Sequence, residues 1–312
     1  MPEYPESYEV ARENHEASKR DGRYPRGFRP TFSPQVAERL RTFNKTNLIA
    51  RVFQAVIVHG SIAAVAALVA WVGIALSWWL ALVAYVPALV LIARQQRVLE
   101  LFVHDASHYA WCNWDRHRND KIANLLSAFP TLSEVAAYRA FHRLHHAYYG
   151  NDQLDPCKRR LAMFGGMGLL GYIRNWYGEI GSKGPRLLLS FAAWHGVVYL
   201  LPLGLALGAA GPLLWGMFWV VPMLTTLPAL RRVAEAEEHD YQRADTEFAT
   251  TYSNIGHLHK WLIHPAGDAY HLLHHMLPNI PMHRHRQVHR YMMEQVPEYR
   301  AGLIRTKVLE QE

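Results

Sequence analysis

Three groups of histidines stand out by residue type and spacing. "HDASH" carries His104 and His108, "HRLHH" carries His142, His145 and His146, and "HLLHH" carries His271, His274 and His275. On a helix, residues three and four positions apart lie within about 60° of the first, so each group presents its rings on one side. With 19 histidines in 312 residues, a fixed three-position pattern arises by chance only about 0.08 times per chain. A solvated helix face, or core histidines each with a private partner, accounts for single rings but not for two identical clusters. Metal ligation accounts for all of them together. Eight imidazoles with no cysteine among them exceed the needs of one ion, so the ligand count points to two. Imidazole suits Zn, Cu, Fe and Ni alike, and the residues alone leave the element open.

The elements that must position these rings follow from the distribution of charge. Residues 52–93 and 187–230 contain no Lys, Arg, Asp or Glu. The 33 Lys and Arg divide as 10 in 1–51, 13 in 94–186 and 10 in 231–312. A membrane span takes about 20 apolar residues, and the uncharged runs of 42 and 44 residues are each about twice that. Each run therefore reads as a helical hairpin, giving an all-α integral membrane fold with four spans at about 52–70, 75–93, 187–206 and 211–230. The turns fall near "WVGIALSWW" (71–79) and "GLALGAAGP" (204–212), the first with interfacial tryptophans and the second rich in Gly and Pro. Two hairpins return the chain to one face each time. That face carries every Lys and Arg, so the metal site and both termini are expected on the cytoplasmic side. The segment 161–180 is apolar but glycine-rich and contains Arg174. It reads as an interfacial or re-entrant piece, since a fifth span would separate the two HxxHH clusters.

Three regions are expected along the chain: a flexible cytosolic tail over 1–33, a membrane domain with a helical cap over 34–296, and a C-terminal tail over 297–312. Ser33-Pro34 starts a helix running through 34–50, and the second span continues helically with no breaker before Asn113. Another helix covers 133–148, and the last span runs on through 231–241. The polar N-terminus lacks the apolar core of a signal peptide. Cys112 and Cys157 are too few for a disulfide framework and read as inert thiols. The net charge of +7 is the ordinary signature of a cytosolic membrane face, or serves an acidic partner or lipid. Zinc-finger spacing, a P-loop and aromatic-basic patterning are missing, so nucleic acid is excluded as a partner. His59 and His195 lie inside the expected spans, where an interhelical hydrogen bond is the expected role. His283 and His285 are expected on a solvated face, and His117, His257, His259 and His264 carry no spacing signal.

With its box spacings and four spans, the chain resembles the membrane-bound fatty acid desaturase and hydroxylase family over roughly residues 45–290. "HHAYYGNDQLDP" is similar to the family's second box followed by an Asp-Pro, and "HHMLPNIPMHRHRQVH" to its third box with a Leu-Pro-x-Ile-Pro tail. The resemblance implies a di-iron centre that activates O2, and it adds a ninth ligand after the last span, where "EAEEHDY" offers His239. Two departures bear on substrate rather than metal. Leu272 and Leu273 stand where many members have Glu or Gln, and three residues separate His104 from His108 where some members have four.

The resemblance implies an O2-dependent desaturase acting on a fatty acyl chain or acyl-like substrate. The same site also serves a hydroxylase, ketolase or oxidative decarboxylase of a lipid, carotenoid or specialised metabolite. A membrane metal transporter would instead place its ligands within the spans, which hold only His59 and His195. A saturated C–H bond resists acid, base and nucleophile, so its cleavage calls for O2, a metal and two electrons. The chain shows no segment that would carry electrons itself, which implies a separate donor of ferredoxin, rubredoxin or cytochrome b5 type. Carboxylates are expected to orient the ligating rings. The candidates are Asp105, Asp155, Glu235, Glu238 and Asp268, each of which equally suits a surface charge or a helix end.

Overall fold

The two uncharged runs fold into helical hairpins whose helices outlast the uncharged stretches. The computed structural model describes residues 32–241 and 250–303, nearly all of them helical. The only extended pairing among the described residues is an isolated antiparallel bridge between His239 and Thr251. Most of the expected 1–33 tail lies outside the described residues, as do 304–312. The chain forms two compact units. One, the hairpin unit, holds 46–136 and 168–233; the other, the histidine unit, holds the described parts of 1–45, 137–167 and 234–312.

The N-terminal helix α1, Pro34–Thr42, is capped by the Ser33 hydroxyl, which accepts from Val36 N. The single helix expected over 34–50 is broken after Thr42. Asn47 caps the next helix, α2 (Leu48–Ala75), by accepting from Ala50 N at 3.0 Å. A side-chain cap in mid-segment stops one helix and starts another. Helix α3, Trp78–Ser107, follows after a break at Leu76–Ser77 and packs along α2.

The expected continuation of α3 to Asn113 does not occur. The chain leaves the helix at His108, and Tyr109 adopts a left-handed φ of 60°. The cause lies further along the chain, on α4 (Arg116–Ala123). The Asn119 side chain accepts from Trp111 N and Cys112 N, both at 3.2 Å, and donates to Ala106 O at 2.9 Å. Those bonds supply the backbone groups that a continued helix would otherwise satisfy.

The second hairpin consists of α8, Pro185–Leu207, and α9, Ala210–Glu238. Between them the chain reverses at Gly208, whose φ is +57°. A Cβ on Gly211 would lie 2.5 Å from the Leu203 carbonyl carbon, so only glycine permits this close return. A widened π turn at Gly216–Val220 breaks the regular ladder of α9, and the carbonyls in it are used by α3. Tyr85 OH donates to Met217 O at 2.7 Å and Gln96 Nε2 to Trp219 O at 2.8 Å. His59 bridges Tyr199 OH and Leu126 O, both at 2.9 Å. His195 receives a hydrogen bond from Trp215 Nε1 at 3.1 Å and contacts Pro130 O at 3.2 Å. Both intraspan histidines thus fasten helices to their neighbours.

Helices α2, α3, α8 and α9, of 28, 30, 23 and 29 residues, are long and apolar enough to cross a membrane. Their outer faces carry bare apolar side chains, with Ile74 89% and Leu205 81% exposed. An apolar surface of that extent is the mark of a membrane protein. The segment 161–180 forms no span: it is divided at 166–168 between α6, Pro156–Gly165, and α7, Leu169–Gly181. Thirteen residues of α7 reach only about 20 Å, short of about 30 Å of hydrocarbon.

The histidine unit contains most of α5, Val135–Ala147, together with α6, the C-terminal end of α9, and the short helix α10, His271–Met276. Helices α11, His285–Gln295, and α12, Pro297–Gly302, complete it. Its apolar core joins Val36 and Leu40 of α1, and Phe43 just after it, to Leu272, Leu273, Val288 and Met292. The two leucines inside "HLLHH" are therefore core anchors, and they hold the opposite side of α10 while its histidines project elsewhere. Tyr299 is fully buried in the same core, so the tail expected from 297 is ordered structure through at least Gly302.

Candidate metal centre

Helix α5 carries His142, His145 and His146 on successive turns, and α10 repeats the spacing with His271, His274 and His275. His239 follows directly after the end of α9. Within the histidine unit these seven rings converge through their Nε2 atoms in two groups. In the first, His146 Nε2 lies 3.0 Å from both His142 Nε2 and His274 Nε2, and the last two are 3.2 Å apart. In the second, His145 Nε2 is 3.3 Å from His275 Nε2, which is 3.2 Å from His271 Nε2, which is 3.1 Å from His239 Nε2.

Nitrogens facing one another at these distances fit a cation. Ligands at about 2.1 Å from one ion stand about 3.0 Å apart at right angles and about 3.4 Å apart in a tetrahedron. A neutral imidazole has one N–H and one lone pair. Where Nδ1 keeps the proton, the Nε2 lone pairs point at each other, which is repulsive unless a positive ion lies among them.

The outer ring nitrogens show how that tautomer is set. Asp155 Oδ1 lies 2.8 Å from His145 Nδ1 in a fully buried pair. The same carboxylate caps α6 through Cys157 N and Lys158 N, and its Oδ2 accepts from Gly150 N. Nδ1 of His145 therefore donates, and its Nε2 lone pair is left for the centre. His239 Nδ1 meets the Tyr149 hydroxyl at 3.0 Å and the Thr251 hydroxyl at 3.2 Å. Tyr149 and Thr251 carried no spacing signal, although Tyr149 stands three residues after the second box.

The electrostatics favour uncharged rings. Burial, reinforced by His271, His145 and His146, pushes the His239 pKa well below the ordinary imidazole value. His275 is lowered in the same way by burial and by His146, His239, His271 and His145. Such rings stay deprotonated and available to a metal. His145 is the exception. Burial opposes its charge, but Cys157 and Asp155 outweigh it and leave its pKa well above the ordinary value. Burial also pushes the Cys157 thiol up, so the standing negative charge beside His145 is the Asp155 carboxylate.

The remaining expected site residues are placed as follows. His104 and His108 lie at the C-terminal end of α3 in the hairpin unit, their ring centroids 5.7 Å apart. Asp105 beside them is ion-paired with buried Arg51. Glu235 pairs with Arg160 at 3.1 Å. Glu238 and Asp268 have oxygens within 4.8 Å of a ring nitrogen of His271, and Asp268 also meets His264 Nδ1 at 3.0 Å. His285, expected on a solvated face, is fully buried, with its ring nitrogens 3.2 Å from Gly267 O and 3.1 Å from Ile280 O. His283 is exposed. His259 and His264, which showed no spacing signal, are fully buried beside Glu237.

Residues 77–307 match the family model described as "Fatty acid desaturase", which spans the box histidines and His239. The chain belongs to the fatty acid desaturase family. Among curated proteins it is similar to the dihydrorhizobitoxine desaturase of Bradyrhizobium elkanii, with 28% identity over 238 residues. That alignment covers 66% of this chain and 65% of the relative, slightly less than two thirds of the relative's length. The histidine cluster is consistent with a metal site.

Proposed function

We propose that the protein is an O2-dependent di-iron desaturase that introduces a double bond into a fatty acyl chain or acyl-like substrate. The observation that carries this reading is the gathering of seven imidazoles into two Nε2 groups in a chain of the desaturase family. His142, His146 and His274 would hold one ion, and His145, His239, His271 and His275 the other. The family resemblance adds His104 and His108 as ligands. Bound iron would supply the activation of O2 that cleavage of an unactivated C–H bond requires.

The chain's own groups prepare the site. Asp155 keeps the His145 Nδ1 proton in place, and Tyr149 and Thr251 fix the His239 ring, so that lone pairs face inward. The lowered pKa values of His239 and His275 keep those two rings neutral, and the Asp155 carboxylate balances the positive charge favoured on His145. The two hydrogens removed from the substrate, with two electrons and two protons from outside, reduce O2 to two waters. The electrons would come from a separate donor of ferredoxin, rubredoxin or cytochrome b5 type. The concentration of Lys and Arg outside the uncharged runs supports a cytoplasmic placement of the site.

The relative's name specifies desaturation, of a named metabolite, and this supports loss of two hydrogens over gain of oxygen. It also supports a specialised metabolite as a second substrate class beside acyl chains. The test is purified protein analysed for metal, then supplied with O2 and an electron donor while lipids and soluble metabolites are followed by mass spectrometry. Two irons per chain and a product lighter by two hydrogens are expected. A folded, active protein without iron would refute the metal assignment, and a product heavier by one oxygen would refute the reaction.

A further inference from the structure

A second buried polar cluster lies in the histidine unit and is not used by the centre described above. Glu237 sits near the C-terminal end of α9, and His259 opens a π turn, His259–Ile263, that ends at His264. Glu237 is 6% exposed, and His259 and His264 are fully buried. Glu237 Oε2 lies 3.2 Å from His259 Nδ1 and 3.7 Å from His264 Nε2.

These contacts do not satisfy the groups. Neither carboxylate oxygen of Glu237, neither ring nitrogen of His259, nor Asn254 Oδ1 makes a hydrogen bond of acceptable geometry. Five buried polar atoms without hydrogen bonds in one place are far outside what folded proteins tolerate, and a bound ion is a recognised cause. A buried carboxylate whose partners approach it without hydrogen-bond geometry is costlier still. The three donor atoms lie within 4.8 Å of one another, and the two Glu237–histidine separations suit one ion: at about 2.1 Å from a shared cation, neighbouring ligands stand about 3.0–3.4 Å apart, and somewhat further when the angle opens. His264 has the support typical of a metal-binding histidine, since its Nδ1 meets Asp268 Oδ2 at 3.0 Å and its Nε2 points toward Glu237. Asn254 Nδ2 also reaches His264 Nε2 at 3.0 Å. An ion on that lone pair would replace this contact while Nδ2 kept its bond to Glu237 O.

We propose that Glu237, His259 and His264 hold a further metal ion, a single zinc-type divalent cation, separate from the histidine-box centre. Two imidazoles and one carboxylate form a borderline donor set that suits zinc. The ion would tie the end of α9, two residues before His239, to the segment that leads into His271. Its role is structural, because it would fix the approach of two box histidines without touching substrate. The proposal stands independently of what the boxes bind.

The test counts ions in the full-length protein in detergent, loaded with zinc alone and, separately, with cobalt alone. Wild type, His259→Gln, Glu237→Gln and a box-disabled chain (His145→Ala with His274→Ala) are compared. His259→Gln and Glu237→Gln should each bind one ion fewer than wild type. The box-disabled chain should retain one cobalt ion with visible absorption bands, and adding His259→Gln should abolish them. Metal content unchanged by His259→Gln in a folded protein overturns the proposal. Should that variant fail to fold, the box-disabled chain decides, because no cobalt binding there overturns it equally. Loss of the box metal alone bears on the proposed function and leaves this site intact.

Discussion

Replacing Asp155 gives the sharpest test of how the centre is held. Its carboxylate accepts from His145 Nδ1, Cys157 N, Lys158 N and Gly150 N. Asp155→Ala removes a helix cap, typically worth about 1 kcal/mol, and a hydrogen bond to a charged group, worth about 1.5–3 kcal/mol. A loss of about 3 kcal/mol in folding stability is expected, together with a 10–100-fold loss in metal affinity. Asp155→Asn separates the two effects. An Asn oxygen still caps α6 and accepts from His145, but its NH2 then opposes Gly150 N, and the charge is gone. Stability should fall by about half as much, while metal affinity still drops about tenfold.

The pH dependence has a definite sign. Burial works against ionisation of Asp155, but His145 and the backbone donors of Gly150 and Lys158 hold its pKa below the ordinary carboxylate value. A group whose folded pKa is depressed contributes stability above its unfolded value and loses it as pH falls through the folded one. The Asp155→Asn protein should therefore show a flatter acid limb below about pH 4. Denaturant unfolding at several pH values, with metal retention measured after a chelator challenge, reads all three effects. If Asp155→Ala kept its metal and its stability, the carboxylate would have no part in holding His145 and the reasoning would fail.

Tyr149→Phe removes one of two hydroxyls on His239 Nδ1 and should lower metal affinity by up to about tenfold, since Thr251 remains; a chelator titration measures it. Leu273→Ala empties a fully buried position and should cost about 2–5 kcal/mol in unfolding experiments, and equal stability would mean that this core does not anchor α10. Gly267→Ala combines a φ of +98° with a Cβ 2.2 Å from Met282 O and should cost at least about 2 kcal/mol, read as a lowered Tm.

Much of this protein is written in short-range patterns. Uncharged runs dictate hairpins because a helix buries its own backbone groups whatever surrounds it. Gly208 and Ser77 mark the turns for the same local reason. The box histidines are legible because helical spacing alone puts rings three and four residues apart on one side. Where an answer depended on residues distant in sequence, it could not be read there. Five carboxylates were equivalent as partners for the rings. Only the tertiary fold puts Asp155 on His145, pairs Asp105 with Arg51 and gives Glu235 to Arg160. Asn119 ends α3 from a later helix, and no residue at the break announces it. His285 resembles a solvated surface residue until α11 folds against Gly267 and Ile280. Glu237, His259 and His264 share no spacing at all, yet they meet in one buried place. Helical periodicity decided which rings could act together; the packing of distant segments decided which groups surround each ring and fix the direction of its lone pair.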